Sequence, residues 1–206
     1  MKPLQRNLEH LGYQCFLPDL PLTYKELEFA SFVLDDILEE VIKFELKKDE
    51  KIHLVGHSTG GLVIRHLISE TKYTHKIGRC LLIASPNKGS TLADIAGRVK
   101  WYVNIYKTLK SLNYKYIEHL DFRNPFNIEI AAIAGKKSNL LLGNLIDDEN
   151  DGRVGVQSVY FPELNDFMTL PYGHKEIHHQ KETAKWIDVF LKTGFFLKKG
   201  DDFDGF

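Results

Sequence analysis

Apolar residues recur along this chain in two rhythms, one at every third or fourth position and one in short unbroken runs, and the two alternate. Leu4, Leu8 and Leu11 stand at helical spacing ahead of Gly12, which predicts a short opening helix stopped at a C′ glycine. Tyr13-Gln14-Cys15-Phe16-Leu17 is a compact run closed by Pro18 and reads as a buried strand. Thr23 and Glu26 spell an S/T-x-x-E capping box before a long amphipathic helix through Phe29, Phe32, Val33, Ile37, Val41, Ile42 and Leu46. Lys51-Ile52-His53-Leu54-Val55 is the next strand, ending at Gly56; a helix follows over Leu62 to Ile68, and Cys80-Leu81-Leu82-Ile83-Ala84 is a third strand.

Strands that are apolar throughout, instead of alternating in and out, need cover on both faces. Their alternation with helices therefore predicts the α/β class, a mostly parallel sheet flanked by helices on both sides. From Asn87 to Asn127 the alternation breaks into an aromatic region holding Trp101, Tyr102, Tyr106, Tyr114, Tyr116, Phe122 and Phe126. It resumes with Ile128 to Ala134, with Asp166-Phe167-Met168-Thr169-Leu170, and with a closing helix from Lys181 to Leu191. The polar tail K-K-G-D-D-F-D-G-F is expected to fray, and no internal repeat is present.

Length agrees with one unit: 206 residues suffice for a single sizeable core, so residues 1–206 are read as one domain. A formal net charge of −1 with no basic block gives nothing to track a phosphate backbone, which argues against nucleic acid as a partner. Two cysteines, Cys15 and Cys80, cannot staple a secreted fold and are expected as buried core thiols. No apolar run is long enough for a stable membrane span, and the first ten residues lack a signal peptide's apolar stretch. As given, the chain reads as cytoplasmic.

The chemistry concentrates at Gly56-His57-Ser58-Thr59-Gly60-Gly61, a G-x-S-x-G sequence between a strand and a helix. In a chain of this composition chance supplies about 0.04 such matches, so the motif has to be explained. A serine on a sharp strand-to-helix turn needs neighbours without Cβ two positions away, or strand and helix collide. Ser58 is then expected in a strained backbone conformation, with the amides of the next helix pointing at whatever binds beside it. A phosphate cradle of the G-x-x-x-x-G-K kind is the rival reading, but Gly61 is followed by Leu62 and Val63 with no lysine.

These residues resemble the α/β-hydrolase superfamily, and within it bacterial triacylglycerol lipases and related esterases. The resemblance covers nearly the whole chain: Ala84-Ser85-Pro86-Asn87-Lys88-Gly89-Ser90 is similar to the T-P-N-H-G-S segment of such lipases, with Lys88 in place of histidine. Thr91-x-x-Asp94 serves equally as a capping box for the next helix. The resemblance implies a triad in the order serine, acid, histidine. Asp151, in Asn150-Asp151-Gly152-Arg153-Val154, is similar to the N-D-G-x-V segment that carries the acid, although Asp147, Asp148 and Glu149 share the loop and clustered oxygens also suit calcium. No spaced D-x-D-x-D-G ladder is present, so no metal is assigned.

His174, His178 and His179 are the histidines beyond Asp151. The family pattern, histidine and then a helix ending in F-L-x-x-G, matches His174 through Phe190-Leu191-Lys192-Thr193-Gly194. A post-strand loop carries His174 to the serine more readily than a helix carries His178 or His179, which are expected as incidental surface groups. His174 and His178 lie four apart like a zinc pair, but H-K-E-I-H lacks the H-E-x-x-H order. His57 is expected to pack under the turn.

The implied function is carboxylic-ester hydrolysis of a small-molecule or lipid ester, with no cofactor: Ser58 as nucleophile, His174 as base, Asp151 orienting it, and the Thr59 N–H donating to the oxyanion. A non-catalytic binding protein and an acyltransferase on the same triad are the rivals. Residues 87–127 fall where such lipases place a helical cap, and the aromatics would wall an acyl chain. These lipases also place, upstream of the helix that opens this chain, a strand ending in a His-Gly loop that supplies a second oxyanion donor. Nothing in this sequence matches it, so Met1 is expected to be an internal methionine of a longer frame, or the chain a truncated form with weak activity and stability.

Overall fold

The computed structural model describes residues 1–22, 25–89, 114–120, 122–138 and 146–196. Helix α1 (Lys2–Glu9) and the long α2 (Leu27–Phe44) precede β1 (Ile52–His57), α3 (Thr59–Glu70) and β2 (Ile77–Ile83). Helix α4 (Tyr114–His119), β3 (Ile130–Gly135), the single turn α5 (Val156–Val159), β4 (Asp166–Leu170) and α6 (Lys181–Thr193) follow. The four strands form one parallel sheet in the order β1-β2-β3-β4. Their C-terminal ends run level, with His57 beside Ile83, Ile83 beside Ile133 and Ile133 beside Met168.

The unbroken apolar runs acquire their meaning in the sheet. Alternate residues of one strand enter opposite cores: Leu54, Cys80, Leu82, Ile130, Ala132 and Ala134 pack with Ile64, Leu67 and Ile68 of α3. Their neighbours Leu81, Ile83, Ala131 and Ile133 pack on the other face with Leu4 and Leu8 of α1 and Ile187, Phe190 and Leu191 of α6. Two covered faces leave no position for a polar residue, which is why the period of two is invisible in the sequence. A third cluster joins Leu27 and Ala30 of α2, Leu62 and Val63 of α3 and Ile117 of α4.

Four expectations are corrected. Residues Tyr13–Leu17 are not a strand: no described strand pairs with them, and Phe16 and Leu17 are 48% and 42% exposed. The segment is tied down instead by side chains, with Tyr13 Oη donating to Asp188 Oδ1 of α6 at 2.9 Å. Cys15 is consequently only half-buried, whereas Cys80 is fully buried and burial pushes its thiol up to about 12. Glu26 is not the third residue of a capping box, because it is itself the N-cap of α2 in extended backbone (φ −71°, ψ 160°). Gly12 has the positive φ expected of a helix stop (+95°), but it lies two residues beyond the cap at His10. Thr23, the Thr91–Asp94 box, Trp101, Tyr102, Tyr106 and the tail lie outside the described residues, as does most of the expected cap.

Candidate active site

The C-terminal end of β1 runs directly into the turn. Ser58 has φ 54° and ψ −126°, close to the conformation that type II′ turns reserve for glycine. Its main chain is pinned on both sides: Ser58 N donates to Ile83 O at 2.8 Å, and Gly61 N donates to Ser58 O at 3.1 Å. Helix α3 starts at Thr59, so its first amides, which have no partner within the helix, belong to the turn that carries the serine.

The glycines act differently from the motif's plain symmetry. A Cβ at Gly56 would stand 2.6 Å from Gly61 N and 2.7 Å from the Gly60 carbonyl, so strand and helix do meet there. A Cβ at Gly60 meets nothing within 4 Å among the described residues, whereas at Gly61 it would lie 2.0 Å from Ser85 Oγ. Gly61, outside the five-residue motif, carries the steric demand expected of Gly60. Gly61→Ala is therefore expected to destabilise the fold by about 1–3 kcal/mol through overpacking. Gly60→Ala is expected to be neutral or stabilising by up to about 1 kcal/mol, since it replaces a helical glycine in open space. Thermal unfolding of the two variants checks the contrast; equal losses would reverse the assignment.

Asp151 lies on the loop before α5, 2% exposed. Its Oδ1 accepts from Arg153 N at 3.0 Å and Val154 N at 2.8 Å, fastening the carboxylate to its own turn. Gly152 at φ +91° permits that turn. Oδ2 is left to point at His174 Nδ1, 2.7 Å away. His174 follows β4, 6% exposed, and its Nε2 stands 3.0 Å from Ser58 Oγ. Gly135 at the end of β3 lets the two loops meet, since a Cβ there would lie 2.5 Å from Tyr172 O and 2.8 Å from Asp151 Cβ. The other acids stand apart: Asp147 and Glu149 are exposed, and Asp148 Oδ2 accepts from Gln157 N at 2.6 Å.

A hydrogen-bonded line thus runs Asp151–His174–Ser58. A carboxylate can only accept, so Nδ1 of His174 carries its proton and Nε2 is free to accept from the serine hydroxyl. This is the arrangement by which an imidazole takes a serine proton.

Around this line the structure corrects one of the remaining histidines. His178 is not an incidental surface group: it lies in a 3₁₀ turn (Ile177–His179) before α6, is 9% exposed, and its ring sits 4.4 Å from that of His57. His57 in turn lies 4.8 Å from His174 and gives its Nε2–H to the His174 main-chain carbonyl at 2.9 Å. No motif announces these contacts, because they join positions far apart in the sequence. His179 is exposed, as expected.

Burial lowers His57 to about 3, with His174 and His178 adding to the effect, and lowers His178 to about 4. In the unfolded chain both return to the ordinary histidine value of 6.5. Between these values the folded chain binds fewer protons than the unfolded one, so stability present at neutral pH falls as the pH falls through about 6.5 to 4. Each uncompensated proton contributes up to about 1.4 kcal/mol per pH unit. The melting temperature is expected to drop across that window, and less steeply in His178→Phe; a flat profile in the parent protein would contradict it.

The segment after β2 braces the acid loop. Asn87 Nδ2 donates to Val159 O at 2.7 Å, Lys88 N donates to Ser158 O at 3.1 Å, and Arg65 reaches Asn87 from α3 while stacked between Phe122 and Phe161.

Residues 32–133 match a family described as a domain of unknown function (DUF7379). No curated protein sequence matches significantly. Solved structures give a clearer likeness. The mature form of the Bacillus licheniformis lipase BlEst2 is 20% identical with a TM-score of 0.68, over 91% of this chain and 82% of that one. The chain spans 46% of that lipase's propeptide form. The metagenomic carboxyl esterase MGS0156 is 16% identical with a TM-score of 0.72, over 93% and 69% of the two chains. EstA from Clostridium botulinum is 16% identical with a TM-score of 0.61, over 91% and 80%. At such identities the likeness concerns architecture: the chain has the α/β-hydrolase fold found in bacterial lipases and esterases.

Proposed function

We propose that the protein is a serine hydrolase of carboxylic esters, and the observation that carries this reading is the continuous hydrogen-bonded line from Asp151 through His174 to Ser58. Ser58 Oγ attacks the ester carbonyl carbon while His174 Nε2 takes its proton. The carbonyl oxygen becomes an oxyanion, to which the Thr59 N–H at the start of α3 donates. As the C–O bond to the alcohol breaks, the imidazolium returns its proton to the leaving oxygen, and an acyl-Ser58 ester remains. Water then attacks that ester with His174 again as base, releasing the acid and free Ser58. Asp151 keeps the imidazole in the tautomer that both halves need and stabilises its charged form.

The likeness to bacterial lipases and carboxyl esterases favours a small-molecule or lipid ester as substrate. Residues 87–127 are proposed to form a cap; their described part supports this, since Ile117 of α4 packs on Leu62 and Val63, one turn from Ser58. Among the described residues no helix is long and apolar enough to cross a membrane. The reading is tested with a short p-nitrophenyl ester and a fluorophosphonate. Steady nitrophenol release together with covalent labelling of Ser58 is expected; neither, in folded protein, would overturn it.

A further inference from the structure

We propose that His57 is a positioning residue, which fixes where the base stands by donating a hydrogen bond to the main-chain carbonyl of His174. This rests on the ester-hydrolase reading of Ser58, His174 and Asp151. Every polar atom of His174 has a partner. Its N donates to Asp151 O at 2.9 Å and its Nδ1 lies 2.7 Å from Asp151 Oδ2, which ties it to the acid loop. Its Nε2 lies 3.0 Å from Ser58 Oγ and its O lies 2.9 Å from His57 Nε2, which ties it to the end of β1.

The two ties to β1 differ in what the reaction does to them. Once Ser58 carries an acyl group it has no proton to share, and its link to Nε2 is lost. The link from His57 involves no reacting atom and persists. It is therefore the bond that keeps His174 in register with the ester while water enters, and the deacylation half depends on it more than the first half does.

The surroundings suit a fixed donor. A carbonyl oxygen can only accept, so Nε2 of His57 must carry the proton. Burial keeps the ring neutral, with His57 lowered to about 3, so that one tautomer is held over the working pH range. His174 and His178 flank the ring at centroid distances of 4.8 and 4.4 Å, which limits its rotation.

His57→Leu keeps bulk but removes the donor, whereas His57→Gln places an amide N–H near the Nε2 position. In His57→Leu, kcat for a short p-nitrophenyl ester is expected to fall by about 10- to 100-fold, the scale of a base displaced by a fraction of an ångström to an ångström. KM falls in step, so that kcat/KM, which reports acylation alone, stays within about threefold, and nitrophenol release changes from steady to a burst as deacylation becomes limiting. His57→Gln recovers most of the loss. The low-field proton resonance of His174 Nδ1–H is sharp in the parent and in His57→Gln and is broadened or lost in His57→Leu. If His57→Leu does not fold, His57→Asn, whose amide falls short of the carbonyl, carries the same expectation. Equal losses in the leucine (or asparagine) and glutamine variants, or an unaltered kcat and low-field resonance in the former, would overturn the proposal. A parent protein that neither turns over ester nor reacts with fluorophosphonate would instead defeat the hydrolase reading. The low-field resonance then still decides whether His57 positions His174.

Discussion

Ser58→Ala is expected to lower ester turnover by at least about 10³-fold and to abolish fluorophosphonate labelling, while the protein stays folded. The loss is large because nucleophile and base act as a unit, so a base 3.0 Å from an absent hydroxyl contributes little. The fold is spared because the bonds holding position 58 are main-chain ones, to Ile83 O and from Gly61 N. Rates, labelling by mass spectrometry and a melting curve on the same samples separate the two effects. Turnover equal to the parent's would place the chemistry elsewhere.

Asp151→Asn is expected to cost nearly as much, on the order of 10⁴-fold in kcat, by a different route. The amides of Arg153 and Val154 already point at Oδ1, so an asparagine there must turn its carbonyl oxygen toward them. Its NH₂ group then faces His174 Nδ1, which must accept instead of donate. The proton moves to Nε2, the atom that has to receive the proton of Ser58, and the imidazole is in the wrong tautomer. Asp147→Asn and Asp148→Asn should keep the parent rate, because the first is exposed and the second only caps α5. Comparing kcat for the three variants decides the matter; a sensitive Asp147 or Asp148 would mean that the acid has been misplaced.

What could be read in the sequence was whatever rests on local rules. The strand over Asp166–Leu170 is found where its apolar run ends, and α6 starts at Lys181 as expected and stops at Gly194 with φ +86°. The turn at Ser58 was legible because a strand, a sharp turn and a helix leave a mark on consecutive residues. The run Tyr13–Leu17 misled, because an apolar pentapeptide becomes a strand only where a neighbour offers a ladder, and β1 offers it none among the described residues. The histidine stack was invisible for the same reason in reverse. His57 and His178 meet because β1 and the turn after β4 finish at the same end of the sheet, which is a property of topology and of no single segment. The demand on Gly61 leaves no local mark in the sequence, because the atom it makes room for, Ser85 Oγ, lies just past the end of β2.

The backbone at Ser58 is held at a φ and ψ where a residue bearing Cβ sits at a cost of about 1–3 kcal/mol. Glycine would occupy the same posture freely. A protein with a margin of about 5–15 kcal/mol between its folded and unfolded states therefore gives up a noticeable share of it at one position. Heat tolerance and turnover pull in opposite directions at that codon: the substitution that best relaxes the chain also deletes its hydroxyl. Lineages under thermal selection must gain their robustness elsewhere, in α6, the loops or the surface, and leave this one uncomfortable residue alone.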